Sequence, residues 1–364
     1  MYALVDVHKR YGLRTVALRR LNLEINRGEF FVLYGPAGAG KSTVLNLLAG
    51  LTKPTTGDVR RDGESIVHLP PERRQAAMAF ENYALYSHLS VAENLAFPLR
   101  AAGIGRAEIE ARVKKIAAVL GIPHVLERRP GFLSGGQRQR VALGRAIIRP
   151  ADIYLLDEPI GHLDAKLRHR MRAELKALAV EMNATIVFTT TSSKEALALG
   201  DRMAILNMGR LEQQGAPAEL YERPANTFVA SFVGDPPMSF LSVEADAGEG
   251  GAVLRAADGQ FVGVSTGVEP GRRGLKVGLR SNAIRLVDPA TAGALGGRVE
   301  VVEHLGHSNI AVIGAGADHV QVSLPADAEV KPGETVGLEI DSARLHLFAD
   351  EIAVRGAVQS REAR

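Results

Sequence analysis

Apolar residues along this chain are spaced in several distinct ways, and each spacing predicts a different element. Over residues 1–27, Leu4, Val16, Leu18, Leu21, Leu23 and Ile25 alternate with polar positions. That period of two predicts antiparallel strands with one buried face. Phe30-Phe31-Val32-Leu33-Tyr34 is instead a continuous apolar run, as is Ile153-Tyr154-Leu155-Leu156, and Ala184–Thr189 and Met203–Leu206 are further β-rich runs. Such runs predict strands buried on both faces, as in a parallel α/β sheet. Ile109, Val113, Ile116, Ala117 and Leu120 recur at helical spacing until Gly121 and Pro123 stop them. Thr43–Ala49 reads as a helix ended by Gly50, and Arg168–Leu178 as a basic amphipathic helix. Thr52–Gly57 and Arg61-Asp62-Gly63 are turn chemistry between short strands.

Near residue 224 the pattern changes. Glu222–Asn226 breaks the chain, Thr227–Phe232 is one apolar element, and Gly234-Asp235-Pro236-Pro237 reads as a linker. Beyond it Val320, Val322 and Leu324 alternate, as do Val336, Leu338 and Ile340, with turns expected at Gly248–Gly251 and Gly296-Gly297. The division predicted is an α/β domain over 1–235 and a small all-β, barrel-like domain over 236–364, with 355–364 expected to fray.

Composition narrows the class. A chain of 364 residues with 46% hydrophobic and 23% charged residues suits a globular protein of two or three domains. It contains no uncharged apolar run of 18 residues, no basic-then-apolar leader at its start and no cysteine. Residues 1–235 carry a net charge of +8 and residues 236–364 one of −5. The basic residues are scattered, as in Arg73-Arg74, Lys114-Lys115 and Arg128-Arg129, without interleaved aromatics, so nucleic-acid binding is not expected.

The candidate chemistry starts at Gly35-Pro36-Ala37-Gly38-Ala39-Gly40-Lys41-Ser42-Thr43, a match to the P-loop pattern G-x-x-x-x-G-K-[ST]. The strand before it and the helix after it are the context that the pattern requires. The glycines free the backbone to turn its N–H groups inward as an anion nest. Lys41 would reach the β- and γ-phosphates, and Ser42 would ligate Mg²⁺. Asp157 and Glu158 end an apolar strand, which in a parallel sheet is where ligands bind. Asp157 would hold Mg²⁺, and Glu158 would be the base acting on the attacking water. Ser134-Gly135-Gly136-Gln137 opens another helix and offers a further anion site. His304 and His307 flank Gly306 in a turn rather than forming a metal site.

The P-loop, then Leu133-Ser134-Gly135-Gly136-Gln137 followed by Arg138–Ala146, then Asp157-Glu158, is an order that resembles the ATP-binding-cassette (ABC) family. Phe97-Pro98-Leu99, Leu163–Arg168 and Phe228–Gly234 are similar to the maltose-type importer ATPases of that family. The resemblance implies a P-loop NTPase cassette with a helical subdomain over about 82–150, then a C-terminal OB-like regulatory domain. It implies ATP and Mg²⁺, uptake of a sugar, polyol or glycerol phosphate, and a peripheral position on the cytoplasmic membrane face beside permease subunits and a solute-binding protein. Tyr11 would stack on adenine. A head-to-tail dimer would place Ser134, Gly135, Gly136 and Gln137 against the partner's ATP.

Several positions depart from the family pattern. Glu81 stands where the family has a Gln that contacts Mg²⁺ and water; Glu81 retains the ability to ligate Mg²⁺ but adds negative charge. Thr191 stands at the switch His, and Gly161-His162 replaces the usual Ser-Asn. The expectation is a weakened ATP site on this chain's own P-loop, paired with a different, competent ATPase. A fully active homodimer, a nucleotide sensor and a non-transport ABC protein are the alternatives.

Overall fold

The computed structural model describes residues 1–248, 251–256, 258–341 and 344–354, plus the backbone of Val358–Gln359. It divides into two compact units, Met1–Ala218 and Glu219–Arg364.

In the first unit, β1 (Tyr2–Tyr11) and β2 (Thr15–Ile25) are an antiparallel pair, irregular in register after Leu4, that buries Leu4, Val7, Leu18, Leu21, Leu23 and Ile25. The chain then enters β3 (Phe30–Tyr34) and α1 (Lys41–Ala49), where Gly50 caps the helix in the left-handed conformation. β4 (Thr56–Arg61) and β5 (Glu64–Ser65) complete a sheet ordered β2-β1-β4-β5. The strand β3 belongs to a second sheet. Its other members are β6 (Ala76–Ala79), β7 (Ile153–Asp157), β8 (Ile186–Thr190), β9 (Arg202–Asn207) and β10 (Arg210–Gly215), in the order β10-β9-β3-β8-β7-β6. All pairings in it are parallel except β10 with β9. All five residues of β3, of β7 and of β8 are buried, as a parallel sheet covered on both faces requires.

Between β6 and β7 run three helices: α2 (Val91–Ala101), α3 (Arg106–Val119) and α4 (Gly135–Ile147). Both α2 and α4 open on reciprocal capping boxes, Ser90 with Glu93 and Ser134 with Gln137. Two further helices, α5 (Ala165–Glu181) and α6 (Ser193–Leu199), start at the side-chain caps Asp164 and Ser192.

The second unit is largely antiparallel sheet. One sheet contains Ser239–Gly248, Gly251–Ala256, Phe261–Ser265, Leu275–Leu279 and His346–Ala349; another contains Ile284–Val287, Leu295–His304, Ser308–Ala315, Asp318–Pro325 and Thr335–Ile340. Leu241, Leu254 and Val277 of the first share one core with Val299, Ile313, Val322 and Leu338 of the second.

One expectation from the sequence needs correction, and the compact units divide at a point other than the linker near 235. Gly296-Gly297 is not a turn but lies within the strand Leu295–His304, paired with Gly337 and Val336. A Cβ on Gly297 would come 2.5 Å from Ile313 Cγ2, so this glycine serves close approach inside the sheet. The first unit also ends at Ala218 rather than at the linker near 235. The physical reason is Arg280: it is buried, donates to the carbonyls of Ala230, Val233 and Tyr221, and lies 4.1 Å from the Tyr221 ring centroid. Those bonds tie 221–233 to the β core. Desolvation pulls the Arg280 guanidinium down to about 10. The fraying expected over 355–364 lies outside the described residues, except that Val358–Gln359 pair with Val264 and Ser265. The turn tip Glu249-Gly250 lies outside them too.

Candidate nucleotide and hydrolysis site

The P-loop joins β3 to α1, and its glycines have different reasons to be glycine. Gly38 and Gly40 have φ of 78° and 106°, which only glycine adopts without strain. Gly35 does not have a positive φ; a Cβ there would sit 2.3 Å from the Leu206 carbonyl oxygen of β9. Lys41 is the first residue of α1 and is buried; its Nζ donates to the carbonyls of Gly35 (2.8 Å) and Pro36 (3.0 Å) and stands 3.6 Å from Glu158 Oε1. Burial lowers the pKa of its ammonium, opposed by Glu158, Asp157 and Glu81.

The two carboxylates at the end of β7 point to different surroundings. Asp157 is buried, and its Oδ1 accepts from Ser42 Oγ (3.2 Å) and from Thr189 Oγ1 (2.7 Å). Thr189 is its register partner on β8 and also accepts from the Glu158 backbone N–H at 3.0 Å. Glu158 has a φ of 43°, and a non-glycine residue held there stores about 1–3 kcal/mol, which neighbouring bonds must maintain. One such bond is Gln139 Nε2 of α4, which donates to the Glu158 carbonyl at 2.8 Å.

Burial pushes the Glu158 carboxyl above the ordinary carboxylate range; Lys41 opposes this, and the negative Glu81 and Asp157 add to the rise. In the nucleotide-free protein, Glu158 is therefore expected to titrate above the ordinary glutamate range by carboxyl-carbon NMR. Glu81→Gln should move that titration down, and an unmoved midpoint would show that Glu81 does not act on it. Because the folded pKa exceeds the unfolded one, this group favours the folded state below the unfolded pKa. That contribution is lost as the pH rises through the folded pKa.

Beside these groups a cleft of about 470 Å³ is lined by Ser42, Asn46, Glu81, Tyr83, Asp157 and His162, among others. The oxygens of Ser42, Asp157 and Glu81 are the hard donors that Mg²⁺ accepts, so the residues fit the ion. Thr191 is exposed just past β8 and is not among the residues lining this cleft. Tyr11 is exposed at the end of β1, with Lys9 Nζ 4.6 Å from its ring centroid. Ser134, Gly135, Gly136 and Gln137 form the first turn of α4, where the Ser134 side chain accepts from Gln137 N. They do not line the Ser42–Asp157 cleft either. Pro36, Ala37, Ala39 and Thr43 complete the loop and the first turn of α1.

Sequence reading missed Thr189 and Gln139. Thr189 carries a signal, as a polar residue in an apolar run beside a strand ending in two acids. Gln139 lies in the stretch already singled out, but nothing in its spacing points to Glu158. His304 Nδ1 lies 2.9 Å from Asn309 Oδ1, and no metal-ligating cluster occurs among the described residues.

Residues 18–161 match the ABC transporter family model and residues 277–348 the TOBE domain model. An sn-glycerol-3-phosphate import ATP-binding protein, UgpC 1, of Rhizobium johnstonii is 42% identical over 94% of this chain and 92% of its own length. The trehalose/maltose import ATP-binding protein MalK of Thermococcus litoralis is 41% identical over 95% of this chain and 96% of its own. A bacterial ABC transporter cassette solved as a dimer superposes with a TM-score of 0.56 at 32% identity, covering 59% of this chain and 98% of that one. The same cassette has been solved in a post-hydrolysis state with ADP and Pi. With relatives this similar over almost its whole length, the chain belongs to the ABC transporter family as an import ATPase.

Proposed function

We propose that this chain is the ATP-binding subunit of an importer for a sugar, a glycerol phosphate or a related small polar solute, working at the cytoplasmic membrane face with permease subunits. Support for the solute class is the pair of relatives named for glycerol-phosphate and for trehalose/maltose import. ATP would lie on the P-loop with Tyr11 against adenine, its terminal phosphates at Lys41 and its metal at Ser42, Asp157 and Glu81. Mg²⁺, when bound, would neutralise phosphate charge. Glu158 would accept hydrogen bonding from the attacking water. In a head-to-tail dimer, Ser134 to Gln137 would face the ATP of the other subunit.

We further propose that the site on this chain's own P-loop hydrolyses slowly and is paired with a more competent ATPase subunit. The observation that carries this reading is the cleft itself: an acid, Glu81, lines it beside Asp157, and the residue following β8 is a threonine, Thr191, with no imidazole to offer. A second negative group facing the phosphates opposes the developing charge, and a threonine cannot replace a positioned imidazole. Each lost positioned donor costs about 3–4 kcal/mol of transition-state stabilisation, roughly 10²–10³ in rate, and coupled losses need not add.

Repair is the test. Glu81→Gln combined with Thr191→His should raise steady-state ATPase of the full-length chain alone by about tenfold or more, well within what one positioned donor is worth. Fast hydrolysis by the unaltered chain, with no gain on repair, would establish the competent homodimer instead.

A further inference from the structure

We propose that His162 binds the terminal phosphate of the nucleotide on this chain's own P-loop, supplying a donor that neither Glu81 nor Thr191 provides. The inference rests on the reading that this phosphate stands beside Ser42 and Asp157.

His162 is exposed, yet its surroundings are built. It lines the same cleft as Ser42, Asp157 and Glu81. The loop carrying it runs from Glu158 to the cap of α5. Arg168 of α5 donates 2.9 Å bonds to the carbonyls of Gly161 and Leu163, clamping the backbone on both sides of the histidine. The Gly161 N–H also bonds back to the Glu158 carbonyl at 3.2 Å. Arg168 is in turn 3.6 Å from the buried Glu195, whose other oxygen takes the Thr190 hydroxyl.

From across the cleft, Tyr83 meets the imidazole edge-on, with centroids 6.3 Å apart and an interplanar angle of 81°. Tyr83 and Ala84 both hold positive φ, 65° and 45°, so this loop keeps a conformation that costs non-glycine residues energy. Arg145 of α4 donates to the Tyr83 carbonyl at 3.3 Å and helps hold it there. A ring that only filled space would need no clamp on both flanking carbonyls. An imidazole keeps at least one N–H donor in every protonation state, whereas an ionised glutamate has none. His162 shares this cleft with the donors Ser42, Asn46, Asn82 and Tyr83, and it is the imidazole among them.

The experiment uses the full-length chain and calorimetric titration with Mg²⁺ plus either β,γ-imido-ATP or ADP. His162→Ala should weaken the imido-ATP analogue about 10- to 100-fold, the worth of one hydrogen bond to a charged group, and change ADP affinity by less than about twofold. His162→Gln, which retains an N–H donor of similar reach, should keep most of the preference for the triphosphate. Equal weakening of both nucleotides, or of neither, overturns the assignment, the first because it marks a purely structural role. Lys41→Ala separates this from the underlying reading. If that variant still binds both nucleotides, the P-loop placement has failed; if it loses both while His162→Ala keeps the triphosphate preference, only the role of His162 has.

Discussion

Replacing Lys41 by alanine is expected to abolish measurable MgATP binding while leaving the melting curve close to that of the parent chain. The ammonium is buried, held by the carbonyls of Gly35 and Pro36, and opposed in charge by Glu158 at 3.6 Å. Desolvation already disfavours its charged form, so the fold gains little from it. A polyphosphate would change the balance, because several negative oxygens would arrive at a loop whose Gly38 and Gly40 hold positive φ at the start of α1, a backbone shape suited to anions. Truncating one member of such a desolvated charge pair costs about 2–5 kcal/mol, or roughly 30- to several-thousand-fold in affinity. Equilibrium binding of a fluorescent ATP analogue, with circular-dichroism melts in parallel, reads both quantities. Unchanged binding would move the nucleotide away from this loop.

How much of this was legible in the sequence depends on whether the determinant is local. The parallel strands β3, β7 and β8 are continuous apolar runs, and a run buried on both faces announces itself. α3 and α4 announce themselves by helical spacing and by a cap at Ser134. The P-loop is legible for the same reason, since the glycines, the lysine and the flanking elements are contiguous. What was not legible was the role of a glycine and the long-range ties. Gly296 and Gly297 look like a turn because glycine usually marks one, yet Gly297 is small for the sake of Ile313 on the next strand. The boundary near 235 was expected because Pro236 and Pro237 punctuate the chain there. The tie that holds 221–233 to the β core is Arg280, 47 to 59 residues away from the carbonyls it binds, and spacing cannot reveal it. The same holds in the site: Thr189 reaches Asp157 across a sheet register, and Gln139 reaches Glu158 from a helix in another part of the chain.

In the transporter purified from cells expressing the tagged full-length chain, Gly135→Asp is expected to remove most ATPase activity, and Glu158→Gln only a modest part. In the head-to-tail dimer proposed above, the two substitutions would address different ATP sites. Glu158→Gln acts on this chain's own nucleotide. It keeps the side chain's size and does not touch the backbone bonds to Thr189 and Gln139; what it removes is the base and its charge opposite Lys41 at 3.6 Å. If that site turns over slowly, as proposed from the acid Glu81 in the cleft and the threonine at 191, little of the total rate is left to lose. Gly135→Asp leaves this chain's own site alone. Nothing lies within 4 Å of a Cβ built on Gly135, whereas one on Gly136 would press on Leu163 at 3.1 Å. A carboxylate in the first turn of α4 also suits the helix dipole, so the isolated chain should fold as before. The harm would come only when α4 faces the γ-phosphate of the partner's ATP. There like charges meet in a dry, low-dielectric interface where their repulsion is strong, and the loss should approach the 10²–10³ attached to one transition-state donor. Steady-state phosphate release from the two variant complexes, normalised to ATP bound, measures the contrast. If Glu158→Gln silences the complex while Gly135→Asp leaves it active, the weak and strong sites are the other way round, and the asymmetric pairing proposed for this subunit is wrong.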